Sequence, residues 1–425
     1  VGSEMCIRDR RRRGLEVALV EILPHVLPGL DPEVAAAVHQ EILDQGVALH
    51  LDDAVTAFED RAGRLLARLR GGAALEADLA ILAAGVRPDT RFARDAGLAA
   101  NDRGALIVDE HMRTSDPHIY AVGDAVQVFD PILAGPTMVP LAGPANRQAR
   151  IAVDHIFGRP ARYRGTQGTW IVRVFGLTVG GTGPSESALK HRQVPYRKVY
   201  VHRGHHASYY PGAQRMMLKL LFAPADGRIL GAQIVGRAGV DKRVDVLAVA
   251  IQAGMTVADL EQVELAYAPQ YGAAKDIINI AGFVAGNALR GDEEFVYAED
   301  LNEMLQAGCT LLDVRDESEF ASGHIPGARP MPLTELRRRW TELPAGKPVV
   351  TYCEVGQRAY YANRILRQKG LRCYNLAGGY LTYLLTSAAK PVPGPWPPAG
   401  AARSPEGATS ARSEETASSR MDACG

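Results

Sequence analysis

The sequence lacks several features that define common protein classes. No G-x-G-x-x-G motif occurs in its 425 residues, and its five cysteines include no C-x-x-C pair, which excludes a disulfide framework and a zinc-ribbon site. No apolar run reaches the about 18 residues that cross a bilayer, and no secretory signal is visible. Lysine plus arginine and aspartate plus glutamate both number 48. We therefore expect a cytoplasmic protein without a bound metal and without a nucleic-acid or membrane partner.

One cysteine lies where chemistry is expected. The apolar residues 349–352 lead into Cys353-Glu-Val-Gly356-Gln-Arg358, a C-x-x-G-x-R loop at the start of a predicted helix. Backbone N–H groups and the helix dipole at such a terminus stabilise a thiolate or an anionic persulfide. Gly356 permits the tight loop, and Arg358 adds a positive charge. The pattern favours a reactive Cys353 over the alternative, a buried core cysteine.

A second motif supports this interpretation. Residues 313–328 read D-V-R, then E, then G-H-I-P-G-A, and an N-L-A-G-G-Y segment follows the cysteine loop. Together these motifs resemble the rhodanese (sulfurtransferase) family over residues 293–387. The resemblance implies that Cys353 accepts a sulfane sulfur from a donor and passes it on. We interpret Asp313 and Arg315 as a structural ion pair behind the loop.

The other cysteines are assigned mainly structural positions. Cys309 and Cys373 lie in apolar segments and are expected in the core, although a role for Cys373 as a resolving partner of Cys353 stays open. Cys424 lies in a stretch rich in proline, glycine, alanine and serine. That composition predicts disorder.

The first part of the chain shows an alternating pattern. Residues 1–10 match neither strand nor helix periodicity and are interpreted as an artefactual segment. Strands are predicted at 15–21, 47–51 and 79–84, with a helix at 31–44 between the first two, and such alternation is typical of a parallel, doubly wound sheet. The third strand, ending at a glycine turn, is predicted to be buried.

Two short motifs, G-V-R-P from Gly85 and A-V-G-D ending at Asp124, lie about 38 residues apart. In this order they resemble the pyridine nucleotide-disulfide oxidoreductases, flavoproteins with two dinucleotide-binding domains. Glu21 matches the acidic residue that binds a ribose 2′-hydroxyl and would favour NADH over NADPH, unless it is a solvated strand-end glutamate. The resemblance implies these cofactor-binding residues: Glu21, Gly85, Thr114, Gly123, Asp124, Leu141 and Ala142.

The middle of the chain predicts a β-hairpin over residues 218–235, followed by an amphipathic helix at 241–253. Here the motifs Y-Y-P-G-A and Y-A-P-Q-Y-G-A-A-K-D resemble the dimerisation domain of the same flavoproteins, in the coenzyme A-disulfide reductase branch. The resemblance implies a homodimer in which tyrosines reach the partner's flavin. Interface or core aromatics and a surface lysine are the alternatives. The implied residues are Tyr267 with Tyr209 or Tyr210 as catalytic groups, and Asn146, Tyr271 and Lys275 as substrate contacts. In the rhodanese-like loop, Gly356 is the expected substrate contact.

The predicted fold class is α/β, with truncated Rossmann-like dinucleotide-binding domains, an α+β dimerisation domain and a C-terminal rhodanese α/β domain. The predicted boundaries are 1–10 artefactual, 11–90 partial NAD-binding domain, 91–160 end of the FAD-binding domain, 165–290 dimerisation domain, 293–387 rhodanese domain and 388–425 disordered tail.

The glycine fingerprints and the flavin-linked redox cysteine of the resembled family do not occur in this sequence. We therefore expect an N-terminally truncated chain that binds FAD, NADH and coenzyme A poorly or not at all. The predicted parent activity is FAD-dependent NAD(P)H reduction of coenzyme A disulfide or of persulfide and polysulfide sulfur, coupled to sulfur transfer at Cys353. One alternative is a sulfurtransferase on a dimerisation scaffold, and another is a nonfunctional gene fragment.

Overall fold

A computed structural model describes residues 3–387. The predicted disordered tail at 388–425 lies outside the described residues. Among residues 3–387, no helix combines the length and apolar character that a membrane span requires. The predicted α/β fold class is confirmed.

The first segment contains one helix that the sequence pattern did not predict. Residues 3–12 form a helix because Ile7 packs against the core and the arginines at the helix C-terminus face the negative end of its dipole. β1 and β2 pair in parallel, whereas β3, β4 and β5 form an antiparallel sheet. The elements are α1 (Ser3–Arg12), β1 (Ala18–Val20), α2 (Pro32–Asp44), β2 (Ala48–His50), β3 (Val55–Arg61), β4 (Arg64–Leu69) and β5 (Ala74–Ala77).

The prediction of a buried strand at residues 79–84 was wrong. These residues form no strand, and Leu79 and Leu82 are 67% and 80% exposed. A buried parallel strand needs hydrogen-bonded neighbours and apolar cover on both faces. Within residues 3–90 the only parallel pair is β1–β2, so the doubly wound sheet is reduced there to two strands.

The second segment is a small mixed sheet beside one long helix. β7 pairs in parallel with β6 and antiparallel with β8, and Met112, Val126 and Val128 lie in its core. Before Gly123 the chain forms only an isolated bridge between Arg113 and Tyr120, followed by a 3-10 turn at Gly123–Ala125. The elements are α3 (Arg91–Asp95), β6 (Leu106–Ile107), β7 (Val126–Asp130), β8 (Gly135–Thr137) and α4 (Ala142–Ile156).

The third segment is a five-stranded antiparallel sheet in the order β11-β12-β13-β10-β9. Alternation along β12 sends Met216 and Leu218 toward the helices α6, α7 and α8, while Met217 faces α2 on the other side. The elements are β9 (Trp170–Val174), β10 (Leu177–Thr182), α5 (Glu186–His191), β11 (Arg197–Gly204), β12 (Arg215–Phe222), β13 (Ile229–Gly236), α6 (Val240–Gln252), α7 (Val257–Gln262) and α8 (Ile277–Arg290).

A buried ion cluster joins α2 and α5 to this sheet. The fully buried Lys219 Nζ lies 2.9 Å from Asp31, 2.5 Å from Glu33 and 2.6 Å from Glu186. These three carboxylates therefore surround an ammonium group. Lys198 also donates to Glu186, at 3.0 Å.

The fourth segment is a parallel sheet in the order β14-β18-β17-β15-β16. Both faces are apolar, as expected of a parallel sheet: Leu312 and Val349 belong to one core cluster, and Leu311 and Val350 to the other. A 3-10 turn spans Trp340–Glu342. The elements are β14 (Phe295–Val296), α9 (Leu301–Gln306), β15 (Thr310–Asp313), α10 (Glu317–Ala321), β16 (Arg329–Pro330), α11 (Leu333–Arg339), β17 (Val349–Tyr352), α12 (Gln357–Arg367), β18 (Cys373–Leu376) and α13 (Gly379–Ser387).

The parallel sheet is docked on the antiparallel one through α13 and the cysteine loop. His202 Nε2 and Thr382 Oγ1 are 2.8 Å apart, and Arg215 Nη1 lies 2.9 Å from Glu354 Oε1. Leu385 packs against the core around α2. The residue next to Cys353 is thus tied to the start of β12.

Candidate functional site

Cys353 directly follows β17 and is only 1% exposed. The backbone N–H of Gly356 donates to its Sγ at 3.2 Å, and α12 begins at the next residue. Gly356 has φ 93°, in the left-handed region that favours glycine. The loop therefore aims an amide and a helix N-terminus at the sulfur, an arrangement that suits an anionic sulfur atom.

A second helix N-terminus supports the other side of this loop. The N–H of Tyr380 donates to the Cys353 carbonyl at 2.8 Å, and the N–H of Leu381 donates to the Glu354 carbonyl at 3.1 Å. A Cβ on Gly379 would lie 2.5 Å from the Cys353 carbonyl oxygen. The N-L-A-G-G-Y segment thus needs glycine at 379 because the two backbones approach this closely.

The Arg358 guanidinium forms ion pairs with two carboxylates. Its Nη1 and Nη2 donate to Glu319 at 2.6 and 2.7 Å, and Asp316 lies 3.6 Å away. This bidentate bond lowers the pKa of Glu319 to about 2 and raises that of Arg358. The sequence predicted a positive charge at Arg358, and in the structure that charge is paired with Glu319.

Behind the loop, Asp313 and Arg315 form the ion pair that the sequence indicated. Arg315 Nη2 lies 2.7 Å from Asp313 Oδ2, and both residues are buried. The same guanidinium donates to the Gly323 carbonyl at 2.7 Å and lies 4.4 Å from the centre of the Tyr380 ring. The pair therefore joins β15 to α13 and supports the loop from below.

Cys373 lies far from the loop sulfur. Val349 is its partner in the parallel pairing of β17 with β18, which sets Cys373 about 13 Å along the sheet from Cys353. Burial raises the pKa of Cys373 to about 12. A neutral, buried thiol at that distance is a poor resolving partner, so the geometry favours the core assignment.

The tyrosine motifs converge on one exposed patch. Tyr209 Oη and Tyr267 Oη are 2.9 Å apart, and this hydrogen bond raises the pKa of Tyr267. Tyr210 instead packs edge-on against His206, at 5.6 Å between ring centres. Tyr271 is also exposed. Of the two tyrosines left open by the sequence, the structure pairs Tyr209 with Tyr267.

Lys275 is exposed beside this patch, with its Nζ 6.0 Å from the Phe283 ring centre. The two tyrosine segments are also joined through the backbone, because the N–H of Ala207 donates to the Gly272 carbonyl at 2.8 Å. The patch therefore includes the loop between β11 and β12, and Arg215 at the start of β12 contacts the cysteine loop.

The residues assigned to flavin lie around the start of α4. The N–H of Gly123 donates to Gln148 Oε1 at 2.7 Å, which sets the exposed Asp124 beside the helix. Leu141 is the extended residue before α4, and Ala142 is its first residue. These groups form one cradle at a helix N-terminus.

Two further assigned residues stabilise local backbone turns. Thr114 Oγ1 donates to the Ile119 carbonyl at 3.0 Å, and Asn146 Nδ2 donates to the Ala142 carbonyl at 2.8 Å. Asn146 is exposed on the first turns of α4. The structure therefore places Asn146 one helical turn from Ala142 on α4.

The residues assigned to the nicotinamide cofactor are not brought together. Glu21 follows β1, and its Oε1 accepts the N–H of Leu23 at 3.1 Å. Gly85 has φ 89° in the exposed segment 79–87, with nothing within 4 Å of where its Cβ would stand. In the described part of the chain these positions do not form a binding cleft.

Some functional contacts gave no usable signal in the sequence. Arg215 and Glu354 are 139 residues apart, and no sequence motif links the two segments in which they lie. Glu319 is the glutamate that follows D-V-R in the motif, but the sequence did not indicate that it pairs with Arg358. Glu293 and Asn375, which bond each other at 2.5 Å, also went unassigned.

Three family profiles match successive parts of the chain. Residues 1–149 match the pyridine nucleotide-disulphide oxidoreductase family, residues 171–276 its dimerisation domain, and residues 297–385 the rhodanese-like domain. A coenzyme A disulfide reductase from Staphylococcus haemolyticus is 31% identical over 274 residues, covering 64% of this chain and 61% of that enzyme. The chain thus spans about three fifths of that relative.

Two solved structures are similar over most of the chain. Reduced Bacillus anthracis CoADR-RHD is 42% identical, with a TM-score of 0.88, covering 91% of this chain and 69% of that one. An NAD-dependent persulfide reductase from A. fulgidus is 33% identical, with a TM-score of 0.81 and coverage of 88% and 69%. With all three profiles in the same order, this chain belongs to the pyridine nucleotide-disulphide oxidoreductase family and carries a rhodanese-like domain.

Proposed function

We propose that this protein carries sulfane sulfur as a persulfide on Cys353. We further propose that the carrier works within an FAD-dependent NADH reductase of coenzyme A disulfide, persulfide or polysulfide sulfur. The observation that carries the proposal is the 3.2 Å hydrogen bond from the Gly356 amide to Cys353 Sγ at the start of α12. The similarity to a coenzyme A disulfide reductase and an NAD-dependent persulfide reductase supports the second part.

The transfer step needs only thiolate chemistry. The Cys353 thiolate attacks the outer sulfur of a donor persulfide, the donor S–S bond breaks, and the donor leaves as a thiolate. An acceptor thiolate then attacks the outer sulfur on Cys353, which leaves as a thiolate in turn. Neither exchange changes the total oxidation state. Release of the sulfur as sulfide takes two electrons, which NADH would supply.

The charges near the loop favour certain donors. Both nearby cations are paired, Arg358 with Glu319 and Arg215 with Glu354. A compact dianion such as thiosulfate would find no unpaired cation among these groups. A thiol persulfide, whose other charges lie far from the reacting sulfur, fits better, and coenzyme A persulfide is such a compound.

The residues present fit part of the flavin. Asp124 and the open N-terminus of α4 at Ala142 suit a ribityl hydroxyl and a ring that gains negative charge. When bound, FAD would pass electrons from NADH to sulfur. The sequence contains no glycine fingerprint for the pyrophosphate, and no residue here is assigned to it. The proposal of NADH rather than NADPH rests on the match of Glu21 to the ribose-binding acid of the family, and not on a cleft around Glu21.

We also propose a homodimer in the cytoplasm. The match to the dimerisation domain supports the dimer, and it would present Tyr209, Tyr267 and Lys275 to the partner and to coenzyme A. Four free cysteines among the described residues suit a reducing compartment.

Thiocyanate formation tests the carrier role. The whole chain is incubated with glutathione persulfide as donor and cyanide as acceptor. We expect turnover in the wild type and in Cys373→Ser, slower turnover with thiosulfate, and none in Cys353→Ser. Turnover in Cys353→Ser at the wild-type rate would reject Cys353 as the carrier.

Flavin titration tests the reductase part. The proposal predicts weak binding of added FAD, seen as a shifted visible spectrum, bleaching of the bound flavin by NADH, and return of its colour when a persulfide accepts the electrons. A protein that turns over sulfur but never binds FAD would favour the alternative, a sulfurtransferase on a dimerisation scaffold. Aggregated protein without either activity would indicate a nonfunctional fragment.

A further inference from the structure

A buried polar connection runs from the junction between the two sheets to the cysteine loop. Glu293 lies between α8 and β14 and is buried, as is Asn375 at the end of β18. Asn375 Nδ2 donates to Glu293 Oε1 at 2.5 Å and to the Gly356 carbonyl at 3.0 Å. The N–H of Gly356 is the group that faces Cys353 Sγ. A carboxylate in the junction is therefore two hydrogen bonds from the residue that holds the sulfur.

The orientation of the Asn375 amide depends on what Glu293 can offer. An ionised carboxylate only accepts hydrogen bonds, so it binds the Nδ2 end of the amide. In the structure Asn375 Oδ1 is buried and has no hydrogen-bond partner. A protonated Glu293 could also donate, so it would pair with either end of the amide. The Gly356 carbonyl would then face Oδ1 for part of the time and lose its donor.

We propose that Glu293 and Asn375 are positioning residues that fix the cysteine loop while Glu293 is ionised. This inference rests on the sulfur-carrier role of Cys353. The chain of contacts makes the reactivity of that thiol depend on a proton bound at the junction between the sheets.

The surroundings of Glu293 allow this ionisation to occur near neutral pH. Burial raises the pKa of Glu293 to about 7, against the opposing effects of the Asn375 hydrogen bond and of Arg367 and Arg364 on α12. Both arginines are engaged elsewhere, Arg364 with Asp292 at 3.1 Å and Arg367 with Glu294 at 2.5 Å. The charged groups on this side therefore stabilise the carboxylate only in part.

Alkylation of Cys353 by neutral iodoacetamide between about pH 5.5 and 8.5 tests the proposal. The rate is read by mass spectrometry on the Cys353 peptide of the whole chain. For the wild type we expect a step in the rate near pH 7, from the ionisation of Glu293. Glu293→Gln imitates the protonated acid, since its amide both donates and accepts. It should lack the step near pH 7 and react about fivefold more slowly than the wild type at pH 8, as expected for one lost hydrogen bond.

Two further variants complete the experiment. Glu294→Gln removes a neighbouring carboxylate that bonds Arg367 and not Asn375, so it should keep the step near pH 7. Asn375→Leu keeps the Glu293 side chain but removes the connection, so it should lack the step and react at a low rate. A Glu293→Gln profile that superimposes on the wild type would overturn the proposal. A wild-type Cys353 whose alkylation rate shows the step near pH 7 but which never accepts sulfane sulfur would instead reject the carrier role.

Discussion

Replacing Lys219 with methionine should destabilise the protein strongly. The Lys219 ammonium is fully buried and lies within 2.9 Å of Asp31, Glu33 and Glu186. Methionine fills a similar volume but leaves the carboxylates without this cation. Removing one partner of a buried ion pair costs about 3–5 kcal/mol. Because Glu186 keeps its bond to Lys198, we expect the loss of stability to lie within that range rather than above it.

The pH dependence of stability should change sign in the same variant. Burial alone would raise the pKa of Glu33 and of Glu186, but the charge of Lys219 outweighs it and lowers both. In the wild type this stabilisation is present above the ordinary carboxyl value of 4.5 and is lost as the pH falls through the lower folded values. Without Lys219, burial dominates and raises those pKa values. The variant should therefore gain stability as the pH falls from 7 toward 5.

Urea unfolding followed by far-UV circular dichroism measures both effects, with a second probe to check that the transitions coincide. The matched control is Lys190→Met, because Lys190 bonds the same Glu186 at 2.8 Å but is 63% exposed. An exposed pair contributes less than about 1 kcal/mol, so this control should unfold near the wild-type midpoint. Equal losses in the two variants, or a Lys219→Met midpoint close to that of the wild type, would refute the reasoning.

Three further predictions concern the cysteine loop. Gly379→Ala should lower the free energy of unfolding by more than about 2 kcal/mol and abolish sulfur transfer, because the alanine Cβ would clash with the Cys353 carbonyl. Urea unfolding measures the first effect, and thiocyanate formation measures the second. Arg358→Ala should slow transfer about tenfold by leaving Glu319 uncompensated near the sulfur, whereas a rate equal to that of the wild type would show that the pair has no role. Glu293→Gln should match the wild-type free energy of unfolding near pH 4 and exceed it by about 2–3 kcal/mol near pH 8. The reason is that the pKa of Glu293 is about 7 in the folded protein and 4.5 ordinarily, so the wild type loses stability as the pH rises between those values. A constant difference between the two proteins across this range would contradict the assignment.

The sequence predicted the elements whose signals are local. The strand before Cys353, the hairpin over 218–235 and the helix at 241–253 appear as β17, the β12–β13 pair and α6, because periodicity and turn residues decide such elements. The apolar segment 79–84 carried an equally strong signal but is exposed. Whether such a segment forms a strand depends on neighbours distant in sequence, and local pattern does not report them.

The candidate site likewise combines residues that a local motif predicts with residues that only the tertiary structure brings together. Cys353, Gly356 and Arg358 follow from one motif, since a single turn brings them together. The bond between Arg215 and Glu354, and the choice of Tyr209 rather than Tyr210 as the partner of Tyr267, depend on how sheets and loops dock. A lysine within the apolar strand β12 was a visible signal for Lys219, but its three carboxylate partners lie far away in sequence, at the start of α2 and in α5.

Mass spectrometry of the Cys353 peptide tests the central claim most directly. The whole chain is exposed to a labelled persulfide donor, freed of excess donor and trapped with iodoacetamide before digestion. We predict one added labelled sulfur atom on Cys353 and none on Cys309 or Cys373. Labelled sulfur on another cysteine, with Cys353 unmodified, would contradict the account.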